Sequence, residues 1–429
     1  MSKLLLKEAE VINPEAKEIK KLDILIEDKE IIGLADSIEV KDAKIIDLND
    51  KLVMPGLIDM HTHLREPGYE HKETIATGTQ AAAKGGFTSV ACMPNTNPVL
   101  DKKLLIDGLH KRVSEDGVVK VHPIGAVTKE SQGRELAEIG SMAESGIVAI
   151  SDDGNPVMDS EIMRLALKYA DDFELPVISH CEDENLSGDG VVHEGYYSTV
   201  TGLDAIPASS EEVMVARDIC LAQETNSRVH IAHISTKGAV ELVREAKTKD
   251  VPVTCEVTPH HFSLTDQAIT SFSTATKVHP PLRSKEDVEA IKEGLRDGTI
   301  DVIATDHAPH APEEKDVEYD YAPFGISGFE TAFGLIVTEL IEPGVLSWQE
   351  VVQKLTVNPA QILGLQEGCL KEGARADLTI VDPELEWEVD PAEFISKGKN
   401  TPFAGEKLRG KNFMTIIDGE IVYEKSKEK

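Results

Sequence analysis

The stretch Pro55-Gly56-Leu57-Ile58-Asp59-Met60-His61-Thr62-His63 closes an apolar run with two histidines, two residues apart. On a strand, residues so spaced project to one face. Both imidazoles can then reach one metal ion at about 2.0–2.1 Å. Taken alone the pair is weak evidence, because histidines on strands also serve as polar filler. Its meaning depends on what the rest of the chain brings to the same place.

Working outward, residues 52–63 are the first of eight candidate strands. The others are 87–94, 119–127, 146–153, 176–182, 228–235, 253–261 and 301–308. They are rich in Val, Ile and Ala and mostly lack strict alternation, the pattern of parallel strands buried on both faces. Stretches with helical spacing separate them, at 73–84, 160–170, 211–223, 238–247 and 285–294. Eight such units predict an α/β fold, a closed (β/α)8 barrel rather than an open doubly wound sheet.

Both flanks break this rhythm. Residues 4–11, 21–28 and 30–34 read as short antiparallel strands, as do 376–381 and 414–423, the last turning at Asp418-Gly419. Neither flank can bury a core alone. The expectation is one small β-domain built by both termini, from residues 1–51 and 366–429, beside a catalytic barrel of 52–365. The long acidic loop from His310 to Gly328 follows the last barrel strand, where loops carry function. It reads as a flap closing on substrate or as an ordinary surface loop.

The 429 residues, 41% hydrophobic and 28% charged, suffice for a barrel and a smaller domain. No basic-apolar-small leader and no run of about 20 apolar residues is seen, so a soluble, cytoplasmic chain is expected. A net charge of −33 excludes nucleic acid and anionic membrane as partners, since both would be repelled. Five cysteines without a C-x-x-C pair suit reduced thiols.

The other strand ends change the weight of the first pair. They read Ser151-Asp152-Asp153-Gly154, Ser179-His180-Cys181-Glu182, Ile231-Ala232-His233-Ile234-Ser235 and Ala304-Thr305-Asp306-His307. In a barrel these carboxyl ends meet at one mouth, where active sites of the fold lie. Each His or Asp alone is more often a structural residue; four histidines and two aspartates at five strand ends are not explained that way. Imidazole nitrogens with carboxylate oxygens suit zinc, with manganese or cobalt as substitutes.

The motifs His61-Thr62-His63-Leu64-Arg65-Glu66-Pro67-Gly68, Met93-Pro94-Asn95-Thr96-Asn97-Pro98, His180-Cys181-Glu182-Asp183, Glu256-Val257-Thr258-Pro259-His260-His261 and Ala304-Thr305-Asp306-His307-Ala308-Pro309-His310 are specific together. Through them the chain resembles the amidohydrolase superfamily, and closely the type I dihydroorotases, nearly from end to end. The resemblance implies one metal site from His61, His63 and Asp306, a second from His180 and His233, and Asp153 as the bridge. Asp153 is preferred to Asp152 by motif match. Many relatives bridge with a carboxylated lysine, but no lysine ends strand four here. One or two zinc ions per subunit are implied, with Asp306 as general base and then general acid.

The implied reaction is reversible hydrolysis of the ring amide of dihydroorotate to N-carbamoyl-L-aspartate, the third step of de novo pyrimidine synthesis. Arg65 offers a fork for the ring carboxylate; an ordinary salt bridge with Glu66 or Glu70 is the alternative. Asn95, His310 and the backbone at Phe324-Gly325 match further substrate contacts, and His63 borders the substrate as well as the metal. One departure stands out: where the family has Asn before a double proline, this chain has His279-Pro280-Pro281, so that substrate contact is altered. The rival readings are an allantoinase or hydantoinase, or a non-catalytic companion of aspartate transcarbamoylase, which would have lost ligands that all stand here. A homodimer or a complex with that transcarbamoylase is the assembly the resemblance suggests.

Overall fold

A computed structural model describes residues 3–14 and 18–425. Eight parallel strands form the barrel: Leu57–Thr62, Phe87–Cys92, Lys120–Gly125, Ala149–Ile150, Val177–Ser179, Val229–Ile231, Val253–Val257 and Val302–Ile303. Each pairs with its sequence neighbour, as right-handed strand-helix-strand units require. The ring closes between first and last: the His63 amide donates to the His307 carbonyl at 2.9 Å. Just below, Asp59 is fully buried and accepts from the Thr305 amide at 3.0 Å, the Thr305 hydroxyl and the His61 amide at 3.2 Å. One carboxylate thus ties the first strand to the eighth.

The helices expected from periodicity form where capping chemistry starts them. Ile75–Gly85 is opened by a Thr74–Thr77 capping box, and Lys285–Arg296 by Ser284 with Asp287. Asp159 caps Ser160–Asp171, and Thr236 caps Lys237–Lys247. Their apolar faces, with those of Ala208–Thr225 and Phe329–Ile336, pack on the outside of the barrel in one continuous core. Inside, Met60, Ala91, Ile124, Ala149, Ile178 and Val302 form a separate plug, capped at the bottom by Leu363. The helix Lys103–Asp116 was not expected; Lys102 at its start makes no side-chain cap, which removes the usual signal.

Both termini share a second eight-stranded sheet. Its order is Glu420–Glu424, Lys407–Ile417, Leu378–Glu388, Leu52–Pro55, Lys3–Val11, Lys20–Glu27 and Glu30–Ala35, with Ala43–Asp47 pairing on Lys3–Val11. The hairpin turn falls at Asp418-Gly419, both at positive φ. The first candidate strand is corrected here: 52–63 is two strands broken at Gly56. Leu52–Pro55 pairs antiparallel with Leu378–Val381 in the terminal sheet, while Leu57–Thr62 opens the barrel. A Cβ at Gly56 would sit 2.1 Å from Thr88 Oγ1, so only glycine allows this crossover. Among the described residues, no helix is long and apolar enough to cross a membrane, and all five cysteines are free thiols.

Because Asp59 serves three donors in a dry seam, Asp59→Ala is expected to lower unfolding stability by about 3 kcal/mol. Urea denaturation followed by circular dichroism measures it; a change near zero would mean that the seam is held elsewhere.

Candidate metal centre

His61, His63, Asp153, His180, His233 and Asp306 all come together at the carboxyl end of the barrel, and all are buried. Asp153 stands at the centre. Its Oδ2 lies 3.3 Å from His61 Nε2 and 3.4 Å from His63 Nε2. Its Oδ1 lies 3.3 Å from His233 Nε2 and 3.7 Å from His180 Nδ1. One carboxylate thus turns one oxygen to each pair of histidines. Asp306 Oδ1 completes the first group, 3.0 Å from His63 Nε2 and 3.6 Å from His61 Nε2. The neighbouring Asp152 is turned away: it accepts from the Val127 amide at 2.8 Å, the Thr128 amide at 3.1 Å and the Thr128 hydroxyl.

The donor set fits a divalent cation. Ligand atoms of His61, His63 and Asp306 lie within 4.8 Å of one another, as do those of His61, Asp153 and His233. His61 Nε2 and Asp153 Oδ1 are buried with no hydrogen-bond partner. Native interiors rarely leave such atoms unmatched. The electrostatics agree. Burial alone would lower His61, yet Asp153 and Glu256 hold it well above 6.5, and Asp153 with Glu182 brings His180 up to about 9. Burial would raise Asp153 and Asp306, yet the surrounding imidazoles hold both well below the usual carboxylate range. The site therefore demands positive charge, as protons or as a metal ion. His233 and Asp306 hold positive φ of 31° and 46°, conformations that non-glycine residues seldom adopt outside functional sites.

Outer partners orient the histidines. Glu256, fully buried, accepts from His61 Nδ1 at 2.5 Å and also faces His230 Nε2 at 3.3 Å. Asn95 Oδ1 accepts from His63 Nδ1 at 2.9 Å while its amide donates to the Asp153 carbonyl at 3.1 Å. Glu182 Oε2 lies 3.3 Å from His180 Nε2. Such contacts select which ring nitrogen faces a metal. Glu256 and Glu182 stand in motifs quoted above, but nothing in a motif tells a ligand from the residue behind it.

Beside the cluster lies a cavity of about 420 Å³, walled by His63, Asp153, His180, His233 and Asp306 with Arg65, Asn95, His279, Phe324 and Gly325. Arg65 pairs with neither Glu66 nor Glu70. Glu66 is bound to Arg112 at 2.7 Å, and Glu70 accepts from the Gly68 amide. Arg65 Nε donates to the Pro309 carbonyl at 3.2 Å and its Nη2 lies 3.4 Å from His310 Nε2, and the side chain lines the cavity. His310 lies behind it, 4% exposed, its Nε2 bonded to the Phe324 carbonyl at 2.7 Å; it buttresses the wall rather than lining it. Gly325 has less to offer a ligand than expected. Its amide donates to the Lys277 carbonyl at 3.0 Å and its carbonyl accepts from Asn400 at 2.9 Å. In the loop after His310, Lys277 and Lys315 donate to the carbonyls of Tyr319, Asp320 and Pro323.

A family profile described as Dihydro-orotase-like matches residues 50–239. The chain is 59% identical over 420 residues to a dihydroorotase of Pelotomaculum thermopropionicum, covering 98% of each. It is 51% identical to a dihydroorotase of Syntrophus aciditrophicus, over 98% of this chain and 99% of that one. Among solved structures, an L-hydantoinase (dihydropyrimidinase) of Arthrobacter aurescens superposes with a TM-score of 0.90 at 25% identity, covering 100% and 97%. A dihydropyrimidinase of Brevibacillus agri, at 22% identity and a TM-score of 0.87, shares the fold.

The two adjacent aspartates are expected to separate cleanly. Asp153→Asn should lose most bound divalent metal, read by elemental analysis after desalting. Asp152→Ala should keep the metal but unfold at a lower temperature, having left two buried amides without an acceptor. Equal metal loss in both would contradict this division.

Proposed function

The chain belongs to the dihydroorotase family, and on that premise we propose that it hydrolyses the ring amide of (S)-dihydroorotate to N-carbamoyl-L-aspartate, reversibly. This would be the third step of de novo pyrimidine synthesis, carried out in the cytoplasm. The observation that carries the substrate choice is Arg65, set in the wall of the metal-centre cavity with no carboxylate of its own among the described residues. A guanidinium in a half-buried wall, held by Pro309 and His310 but paired with no carboxylate, suits a carboxylate on the substrate ring.

The cation we propose is zinc, one or two per chain, held by His61, His63 and Asp306 and by His180 and His233, with Asp153 between. A divalent ion there supplies Lewis acidity, which polarises a carbonyl oxygen and lowers the pKa of water from 15.7 toward about 7. The protein's own part is proton handling. The water oxygen bonds to the ring carbonyl carbon, the carbon–nitrogen bond breaks, and the nitrogen must leave with a hydrogen. Asp306, a carboxylate that lines the cavity with Oδ1 3.0 Å from His63 Nε2, would take the water proton and then return it to the departing nitrogen. Arg65 would hold the ring carboxylate, with His63, Asn95, His279, Phe324 and Gly325 bounding the ring and His310 supporting Arg65 and Phe324 from behind. Asn95 and Glu256 keep His63 and His61 facing inward. The new carboxyl group ionises, so hydrolysis releases one proton overall.

Assays with dihydroorotate, hydantoin and allantoin side by side test the reading. Turnover of dihydroorotate is expected to vanish on chelation and return with zinc. Asp306→Asn should cost about 10³-fold in kcat, and Arg65→Lys should raise KM about tenfold with a smaller change in kcat. Activity on hydantoin or allantoin alone would sink the proposal.

Ring closure consumes the proton that hydrolysis releases, so each unit fall in pH should favour the ring about tenfold at equilibrium while the product carboxyls stay ionised. The ratio of the two acids at equilibrium, measured between pH 6 and 8, checks this.

A further inference from the structure

His279, which stands where the resemblance led us to expect Asn, does something an Asn would do less well. Its Nε2 lies 2.5 Å from Glu182 Oε2, and its ring stacks on His180 with centroids 5.2 Å apart and planes 15° from parallel. The same Glu182 oxygen is 3.3 Å from His180 Nε2. His180 meanwhile turns Nδ1 toward His233 Nε2, at 3.0 Å, and toward Asp153 Oδ1, at 3.7 Å. A neutral imidazole has one bare nitrogen. If Nε2 carries the hydrogen and gives it to Glu182, Nδ1 is the nitrogen left for a metal.

Glu182 has a long side chain, with 14% of it exposed at the cavity wall, and would sample several rotamers unless restrained. His279 restrains it from one side, and the Phe324 ring, its centroid 4.5 Å from that of His279 and its plane tilted by 68°, backs His279 in turn. Glu256 does the same for His61 from deep inside the barrel. The second histidine pair is less well served, because His233 Nδ1 is buried with no partner. Its geometry therefore depends the more on His180.

We propose that Glu182, clamped by His279, is a positioning residue for His180, and that the pair sets how tightly the second metal ion is held. The inference rests on the metal centre proposed above, but not on which ring amide is the substrate.

The test is a metal titration of the metal-free chain, zinc against a chromogenic chelator, with cobalt absorption spectra alongside. The parent is expected to bind two equivalents. Glu182→Ala should weaken the second about 10- to 100-fold and leave the first nearly unchanged. Glu182→Gln keeps an acceptor oxygen and should recover part of the loss. His279→Asn should weaken the second equivalent, and His279→Gln, whose amide reaches further, should restore some of it. The unchanged first equivalent reports an intact fold; should Glu182→Ala not fold, Glu182→Gln and His279→Asn carry the comparison. Second-site affinity equal in all variants would overturn the proposal, as would a parent that takes up one equivalent only. So would a third equivalent lost in Glu182→Ala, since His180, Glu182 and His279 would then be a cation site themselves. None of these readouts requires turnover, so a wrong substrate would not disturb them.

Discussion

Two buried carboxylates facing one imidazole set the terms for this molecule. Asp153 and Asp306 both approach His61 Nε2, at 3.3 and 3.6 Å, in a pocket from which water is largely excluded. Neither charge could stay there uncompensated, because burying an isolated carboxylate costs several kcal/mol even after relaxation. The histidines, with protons or a cation among them, are therefore a structural necessity. The barrel is the frame that makes this concentration of charge tolerable. It brings five strand ends from across more than 240 residues of chain to one mouth, and it backs the ligands with further buried acceptors.

Much of this was legible beforehand, for physical reasons. Parallel strands buried on two faces leave uninterrupted apolar runs, and amphipathic helices leave a 3.6-residue rhythm, so the barrel could be read from both. The helices at Ser160–Asp171 and Lys285–Arg296 carry cap residues that mark their starts. The break at Gly56 was hidden because the strand before it and the strand after it are equally apolar, and they differ only in which sheet they join. The site followed the same pattern. Candidate ligands show themselves by residue type at strand ends, which is why His61, His63, His180, His233 and Asp306, the residues that the fold brings together, could be picked out.

What could not be read is direction. Asp152 and Asp153 are identical letters in adjacent places; the motif could rank them, but only the fold turns one to Thr128 and the other to the histidines. His310, assigned by resemblance to the substrate, lies behind Arg65 and bonds the Phe324 carbonyl. Glu182 and Glu256 were in view as letters without roles, because an outer partner is defined by the nitrogen it faces rather than by its type. The acidic composition carried no information about the cavity: a chain of net charge −33 still sets Arg65 in its wall, with Lys72, Lys277 and Lys315 bonded to His310 and the loop behind it.

The terminal sheet has a consequence for how the protein comes into being. Leu52–Pro55, the strand directly before the barrel, pairs on one side with Lys3–Val11 and on the other with Leu378–Val381. During vectorial synthesis the first of these partners is present at once, whereas the second emerges from the ribosome more than 300 residues later. Until then an apolar strand edge beside the first barrel strand waits uncovered, the kind of edge that invites association between nascent chains. The terminal sheet thus waits on a strand made after the whole barrel, and a chain truncated before Leu378 would leave that edge bare, although all six residues of the candidate metal centre had already been made.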